Sequence, residues 1–72
     1  MATLRVRFGK AVRRRREAAG YTQESFADHI GVHRNYMGTV ERGETNITLD
    51  NIERIAHGLR MTVAELMREA ES

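Results

Sequence analysis

Apolar residues recur along this chain at helical spacing. Residues typical of helix ends and helix starts interrupt this pattern repeatedly. Glycines, which can adopt the left-handed backbone that ends a helix, stand at positions 20, 31 and 43. Threonines, which are typical N-cap residues, stand at positions 22, 48 and 62. No stretch alternates apolar and polar residues as a strand does, and the chain contains no proline. The sequence therefore predicts an all-α fold.

Five short helices follow from these signals. They are expected near 4–19, from 22 to about 30, from the stretch after Gly31 to about 42, from 48 to about 60, and from 62 onward. Because the connections between them are short, we expect one compact five-helix bundle that occupies 1–72 as a single domain. The positions expected to face the core are Leu4, Phe8, Ala11, Val12 and Ala18 in the first helix and Leu49, Ile52, Ile55, Ala56 and Leu59 in the fourth.

Composition excludes several classes of protein. The absence of cysteine excludes disulfides, thiolate metal sites and a thiol nucleophile, and no apolar run is long enough to span a membrane. The first 16 residues carry seven Lys or Arg and no acid, whereas the remainder carries five Arg against ten acids, so +7 and −5 give the net charge of +2. Such asymmetry favours phosphate-bearing or acidic partners, although a solvated arginine face would look the same. A soluble, cytoplasmic protein is the default expectation.

The segment of about 22–42 carries the spacing of a helix-turn-helix. Ala27 is small where a second helix would cross close to the first, and Gly31, four residues later, can adopt the left-handed turn conformation. An ordinary helical hairpin is the alternative that spacing alone leaves open. The apolar residues that would hold both helices on the rest of the domain are Phe26, Ile30, Val32, Met37 and Val40.

At this point the chain resembles a known family, the Cro/C1-type (XRE-like) helix-turn-helix regulators with a lambda-repressor-like DNA-binding domain. The resemblance runs from about Phe8 to Met67 and rests on "GYTQESFADHIGV", "YMGTVERGETNITLDNIERIAHGL" and "ELM". Within the family, the pattern Y-x-G-x-V-E-R-G-x-x-N-x-T-L is most similar to that of the controller proteins of restriction–modification systems.

The resemblance implies roles for individual side chains. Arg34, Asn35 and Thr39 on the third helix would face base edges, and their chemistry agrees, because Arg can form two hydrogen bonds with guanine and Asn two with adenine. The start of the second helix would hold a phosphate, as helix N-termini suit anions. The residues to which the resemblance gives backbone contacts are Gln23, Tyr36, Thr45 and Asn46, and for Tyr36 a thymine methyl is the alternative contact.

The resemblance also implies an ion pair between Arg16 and Glu41 that fixes the third helix against the first. The chain departs from the family pattern at three positions. Arg15 stands where an aliphatic core residue is usual, His33 replaces the usual Ser, Thr or Asp cap, and Gly38 lies inside the third helix.

The predicted function is that of a homodimeric, sequence-specific regulator of transcription that binds a near-palindromic double-stranded DNA operator. RNA polymerase is a further candidate partner, no membrane partner is expected, and the location would be the bacterial or phage cytoplasm, at the nucleoid. The helices at about 48–70 would form the dimer, although the same apolar residues could instead close the monomer core. The candidate interface residues are Ile47, Leu49, Val63, Leu66 and Met67.

Other functions are less favoured by the sequence. His29 and His33 are four residues apart, but Gly31 separates them, so a shared metal is not expected. No catalytic set is apparent, and we expect neither an enzyme nor a cofactor. The alternative function is that of an antitoxin or phage-type repressor, whose similar fold also binds a partner protein.

Overall fold

The computed structural model describes residues 2–72, which form five α-helices and no strand: α1 (Leu4–Ala18), α2 (Gln23–Ile30), α3 (Arg34–Glu41), α4 (Leu49–Gly58) and α5 (Val63–Glu71). The predicted all-α, five-helix fold is confirmed. The helix ends differ from the predicted ones by one or two residues, which is the usual variation where the last turn of a helix is irregular.

The starts of the helices follow from side-chain caps. Thr22 and Ser25 form a capping box at α2: the Ser25 amide donates to Thr22 Oγ1 at 3.0 Å, and the Thr22 amide donates to Ser25 Oγ at 2.9 Å. His33 caps α3, because its Nδ1 accepts a hydrogen bond from the Asn35 amide at 3.0 Å. The imidazole thus accepts the hydrogen bond that a hydroxyl or carboxylate usually accepts at this position.

The core lies where α1 packs against α5 and α3, and where α2 packs against α3 and α4. Helical spacing brings one apolar stripe from each helix into this region. The buried apolar residues are Phe8, Ala11, Val12, Phe26, Ala27, Met37, Val40, Ile55, Ala56, Leu66 and Ala70.

Gly9 allows α1 and α3 to approach each other backbone to backbone. A Cβ atom at Gly9 would lie 2.4 Å from the carbonyl oxygen of Val40 and 2.6 Å from that of Glu41. Carbonyl oxygens held in a helix cannot move aside as a flexible side chain can. Any larger residue at position 9 would therefore push the end of α3 away from α1.

The structure corrects several expectations about apolar residues. Leu66, predicted at a dimer interface, is fully buried in the monomer core, because the packing of α5 on α1 turns this position inward. Leu49, predicted to face the core, is 81% exposed at the first position of α4. Leu4 and Ala18 lie at the two ends of α1, beyond the packed region, and are exposed as well.

Arg15 does not disturb the packing of α1. Its side chain is about half exposed and forms an ion pair with Glu69 of α5, which also lies 3.7 Å from Arg14 Nε. The face of α1 that packs is formed by other residues, among them Phe8 and Val12. An arginine at position 15 is thus accommodated at the edge of the α1–α5 contact.

Candidate nucleic-acid interface

The turn between α2 and α3 has the geometry that the sequence pattern predicted. Gly31 has φ +79° and ψ +35°, the left-handed conformation that L side chains rarely adopt. The amides of Gly31 and Val32 both donate to the carbonyl of Ala27, at 2.8 and 2.9 Å. Ala27 itself is buried, so α3 is held close to α2 at this point.

The register of α3 divides its side chains into an inner and an outer set. Met37, Val40 and Glu41 are buried, whereas Arg34 and Asn35 are exposed. Because residues three, four and seven apart share a face of a helix, positions 35, 39 and 42 lie along one outer stripe. The outer stripe carries amide, hydroxyl and guanidinium groups, which are the donors and acceptors that contact base edges and phosphates.

Thr39 and Tyr36 are held more firmly than the two exposed residues. Thr39 is half-buried, and its hydroxyl donates to the carbonyl of Tyr36 at 2.7 Å. The Tyr36 hydroxyl accepts a hydrogen bond of 2.9 Å from the Asn51 amide of α4. The contact with Asn51 fixes the middle of α3 to α4, and the bond within α3 leaves the lone pairs of Thr39 Oγ1 available as acceptors.

Arg34 forms an exposed ion pair with Glu24 of α2. Its Nη1 donates to Glu24 Oε2 at 2.8 Å, and both side chains are more than 60% exposed. The contact joins the first turn of α3 to the first turn of α2. The family resemblance gives no role to Glu24. The pair becomes apparent only once the position of α3 relative to α2 is known.

Arg42, at the C-terminal end of α3, shares the outer stripe and was not among the predicted site residues. Its Nε donates to Glu44 Oε1 at 2.9 Å, and both side chains are 57% exposed. A Cβ atom built at Gly38 would meet the Arg42 guanidinium first, at 3.0 Å from Nη1. The glycine inside α3 thus leaves space for this guanidinium to lie back along the helix.

A buried ion pair ties α3 to α1. Arg16 donates to Glu41 Oε2 through Nε at 2.6 Å and to Oε1 through Nη2 at 3.0 Å, and the two side chains are only 7% and 3% exposed. Hydrogen bonds from the guanidinium to Glu41 raise the pKa of Arg16, an effect that burial opposes. Arg16 Nη1 also donates to the carbonyl of Tyr21 at 2.8 Å.

Gln23 joins the network around Glu41. Its amide nitrogen donates to Glu41 Oε1 at 3.0 Å, so the residue that begins α2 is tied to the residue that ends α3. A side-chain amide has two N–H groups, and this contact uses one of them. The second is left as a donor at the start of α2.

The loop between α3 and α4 lies beside the start of α1. A Cβ atom at Gly43 would lie 2.7 Å from the Cα of Val6, and Gly43 has φ +71°. Thr45 is half-buried and Asn46 is exposed. The predicted contact residues thus come from three places: the start of α2, the outer side of α3 and this loop.

The basic residues of α1 are partly neutralised. Arg13 pairs with Glu17 at 3.4 Å within α1, and Arg14 and Arg15 both lie at Glu69. Lys10 is exposed. Glu17 and Glu69 therefore offset only part of the positive charge of α1, and Arg14 and Arg15 share one carboxylate.

Within residues 2–72 there is no group of three or more His, Asp or Glu side chains arranged to hold a metal ion. His29 stacks on Tyr21, with ring centroids 5.1 Å apart. In the same residues, none of the helices has both the length and the apolar character to cross a bilayer.

Comparison with known proteins places the fold and the motif in a family. Residues 7–69 match the helix-turn-helix domain family. The chain is 38% identical to the control protein C.MunI of a Mycoplasma species, over 99% of this chain and 97% of that one. The crystal structure of the restriction–modification controller protein C.AhdI from Aeromonas hydrophila superimposes with a TM-score of 0.81 at 43% identity, over 85% of this chain and 92% of that one. The controller protein C.Esp1396I, crystallised as a tetramer with its natural 35-base-pair operator, matches with a TM-score of 0.83 at 26% identity over the full length of both chains.

Proposed function

Since the chain belongs to the helix-turn-helix family and, within it, to the controller proteins of restriction–modification systems, we propose that it binds a near-palindromic DNA operator as a homodimer. Each subunit inserts α3 into the major groove. Two recognition helices related by a two-fold axis then occupy half-sites about one helical turn of DNA apart, roughly 34–36 Å.

The observation that carries this proposal is the outer side of α3. Arg34 and Asn35 extend from its first turn with exposed side chains, and buried Met37 and Val40 hold its other side in the core. In helix-turn-helix proteins, the N-terminal part of the recognition helix contacts base edges. We assign contact with guanine to Arg34, contact with adenine to Asn35, and a further base contact to Thr39.

Phosphate contacts surround this base-contacting surface. Gln23 and Tyr36 are assigned to phosphates on one side, and Thr45 and Asn46 to phosphates beyond the groove. Arg42 lies at the end of the outer stripe and is added to this set. Phosphate contacts position the protein and make its affinity depend on salt, because each neutralised phosphate releases counterions.

The dimer surface is proposed to centre on Leu49. It is 81% exposed, and covering its apolar side chain with a partner would be favourable. Ile47, Val63 and Met67 are half-buried and are assigned to the rim of the same interface. We therefore expect Leu49→Glu to sediment as a folded monomer with weaker operator binding. An unchanged dimer would exclude this placement.

As a controller, the protein would act on its own promoter and on that of a restriction gene. Activation at low occupancy and repression when a second dimer binds would delay restriction until methylation protects the host DNA. Contact with RNA polymerase would accompany activation, and the location would be the bacterial cytoplasm.

The experiment that tests the proposal is selection of bound duplexes from a random pool, followed by affinity measurements at several salt concentrations. We expect the selected duplex to bind at least about 10³-fold more tightly than random DNA, with affinity falling steeply as salt rises. Equal affinity for selected and random duplexes would contradict a sequence-specific regulator and favour a module that binds a partner protein.

Two exposed asparagines provide a matched pair of variants. Asn35→Ala should cost about 1–3 kcal/mol and relax the preference at one base pair, because it removes a base contact. Asn46→Ala should weaken all duplexes alike, since a phosphate contact carries no sequence information. Gln23 is less suitable for this comparison, because its substitution would also disturb the network around Glu41.

A further inference from the structure

The ion pair between Glu24 and Arg34 joins a carboxylate to a side chain assigned to base contact. Glu24 lies in the first turn of α2 and Arg34 in the first turn of α3, and Nη1 of the guanidinium is 2.8 Å from Oε2 of the carboxylate. Both side chains are more than 60% exposed, and Arg34 lies in the first turn of the proposed recognition helix, so the pair would face the DNA in the proposed complex. The Glu24 carboxylate would weaken the attraction between this surface and DNA phosphates, so its presence there calls for a physical explanation.

The geometry of the guanidinium supplies that reason. Arg34 has five N–H donors in one rigid plane, and the contact with Glu24 uses Nη1. The edge formed by Nε and Nη2 is left for guanine, whose O6 and N7 accept two parallel hydrogen bonds. A long side chain held by a neighbour loses less conformational freedom on binding than a free one.

The same carboxylate acts against binding that does not depend on sequence. Without Glu24, the Arg34 guanidinium would be free to turn to any nearby phosphate, which is the contact that dominates non-specific binding. With Glu24 in place, a phosphate must compete with an existing ion pair and is repelled by the carboxylate. Guanine is uncharged, and it can be bound while the ion pair is kept.

We propose that Glu24 is a positioning residue that sets the sequence specificity of Arg34. It orients the guanidinium for guanine and lowers affinity for the phosphate backbone, without itself contacting a base. This inference rests on the proposed DNA-binding function and assigns a new part of its specificity.

Asp28 offers a matched control. It is exposed on α2 one helical turn after Glu24, and it lines the same surface hollow with Glu24, His33 and Arg34, but it forms no ion pair with Arg34. Glu24→Gln and Asp28→Asn remove the same charge from the same helix. Only the first removes the ion pair with Arg34, so any difference between the two variants reports on positioning.

The experiment measures the affinities of the wild type and both variants for the selected duplex, for the same duplex with the guanine replaced, and for random DNA. We expect Asp28→Asn to raise all affinities alike and leave their ratio unchanged. Glu24→Gln should raise affinity for random DNA and reduce the preference for the selected duplex about fivefold per subunit, the size of a good exposed ion pair. Both variants should remain folded, with a Tm lowered by no more than about 4–8 °C, because both sites are exposed.

Combination with Arg34→Ala completes the test. In that background, Glu24→Gln should no longer change the preference for the guanine, because the side chain through which Glu24 acts is gone. The inference is overturned if Glu24→Gln behaves like Asp28→Asn, or if it strengthens binding to the selected duplex more than to random DNA. A wild type with no preference for any duplex would instead refute the proposed function itself.

Discussion

Replacing Glu41 by glutamine removes the charge at the centre of the network that holds α3. The Glu41 carboxylate accepts two hydrogen bonds from Arg16, at 2.6 and 3.0 Å, and one from Gln23 at 3.0 Å. The Arg16 side chain is only 7% exposed, so its charge would stay buried beside a neutral amide. The NH₂ group of the new residue would also face N–H donors where an oxygen had accepted.

The expected loss is large for so small a domain. Breaking a buried ion pair by removing one partner costs about 3–5 kcal/mol. At about 0.05–0.15 kcal/mol per residue, the whole domain has a free energy of unfolding of roughly 4–11 kcal/mol. The Glu41→Gln variant should therefore lose a large share of its free energy of unfolding, with a Tm lowered by at least about 12 °C.

Urea unfolding followed by circular dichroism at 222 nm measures this loss, with Glu44→Gln as the matched control. Glu44 also pairs with an arginine, but both side chains of that pair are 57% exposed, and such pairs contribute about 0–1 kcal/mol. A Glu41→Gln variant that loses no more stability than Glu44→Gln would refute the role given to burial of the pair.

Three further predictions test other parts of the structure. Gly9→Ala should lower the free energy of unfolding by about 1–3 kcal/mol in urea titration, because its Cβ would lie 2.4 Å from the carbonyl oxygen of Val40; unchanged stability would show that α1 and α3 are not so close. Gly38→Ala should instead stabilise the domain by up to about 1 kcal/mol, since the Arg42 guanidinium that its Cβ meets can move aside; a loss above 1 kcal/mol would contradict this. The backbone amide of Thr62, the N-cap of α5, donates a hydrogen bond to Glu65 and lowers the pKa of that carboxyl. Ionised Glu65 therefore stabilises the fold above its ordinary pKa, and this stabilisation is lost as pH falls through the lowered pKa. Glu65→Gln should remove that part of the acid-induced loss of stability, and a carboxyl titration by NMR with a midpoint at or above 4.5 for Glu65 would rule the effect out.

Local signals in the sequence predicted the helices well. The N-cap threonines and the glycines that end helices act within a few residues, so their effect can be recognised without knowing the tertiary structure. The turn at Gly31 is an example, because the left-handed backbone there is a local requirement. The family resemblance then correctly paired Arg16 with Glu41, although they are 25 residues apart.

The features that the sequence did not predict depend on how helices are placed relative to one another. Leu49 and Leu66 both fit the apolar stripe of their helices, and only the packing of α4 and α5 decides that the first is exposed and the second buried. The need for a glycine at position 9 likewise comes from α3, which is distant in sequence. The contact between Glu24 and Arg34 depends on the angle between α2 and α3, so it could not be predicted from spacing.

Amide chemical-shift changes on adding the selected duplex to ¹⁵N-labelled protein would show whether the exposed side of α3 contacts DNA. We expect the largest changes at 34–42, at the start of α2 and in the loop at 43–46, with small changes in the middle of α5. Changes concentrated on α4 and α5, with α3 unaffected at a saturating concentration of the duplex, would contradict this contact.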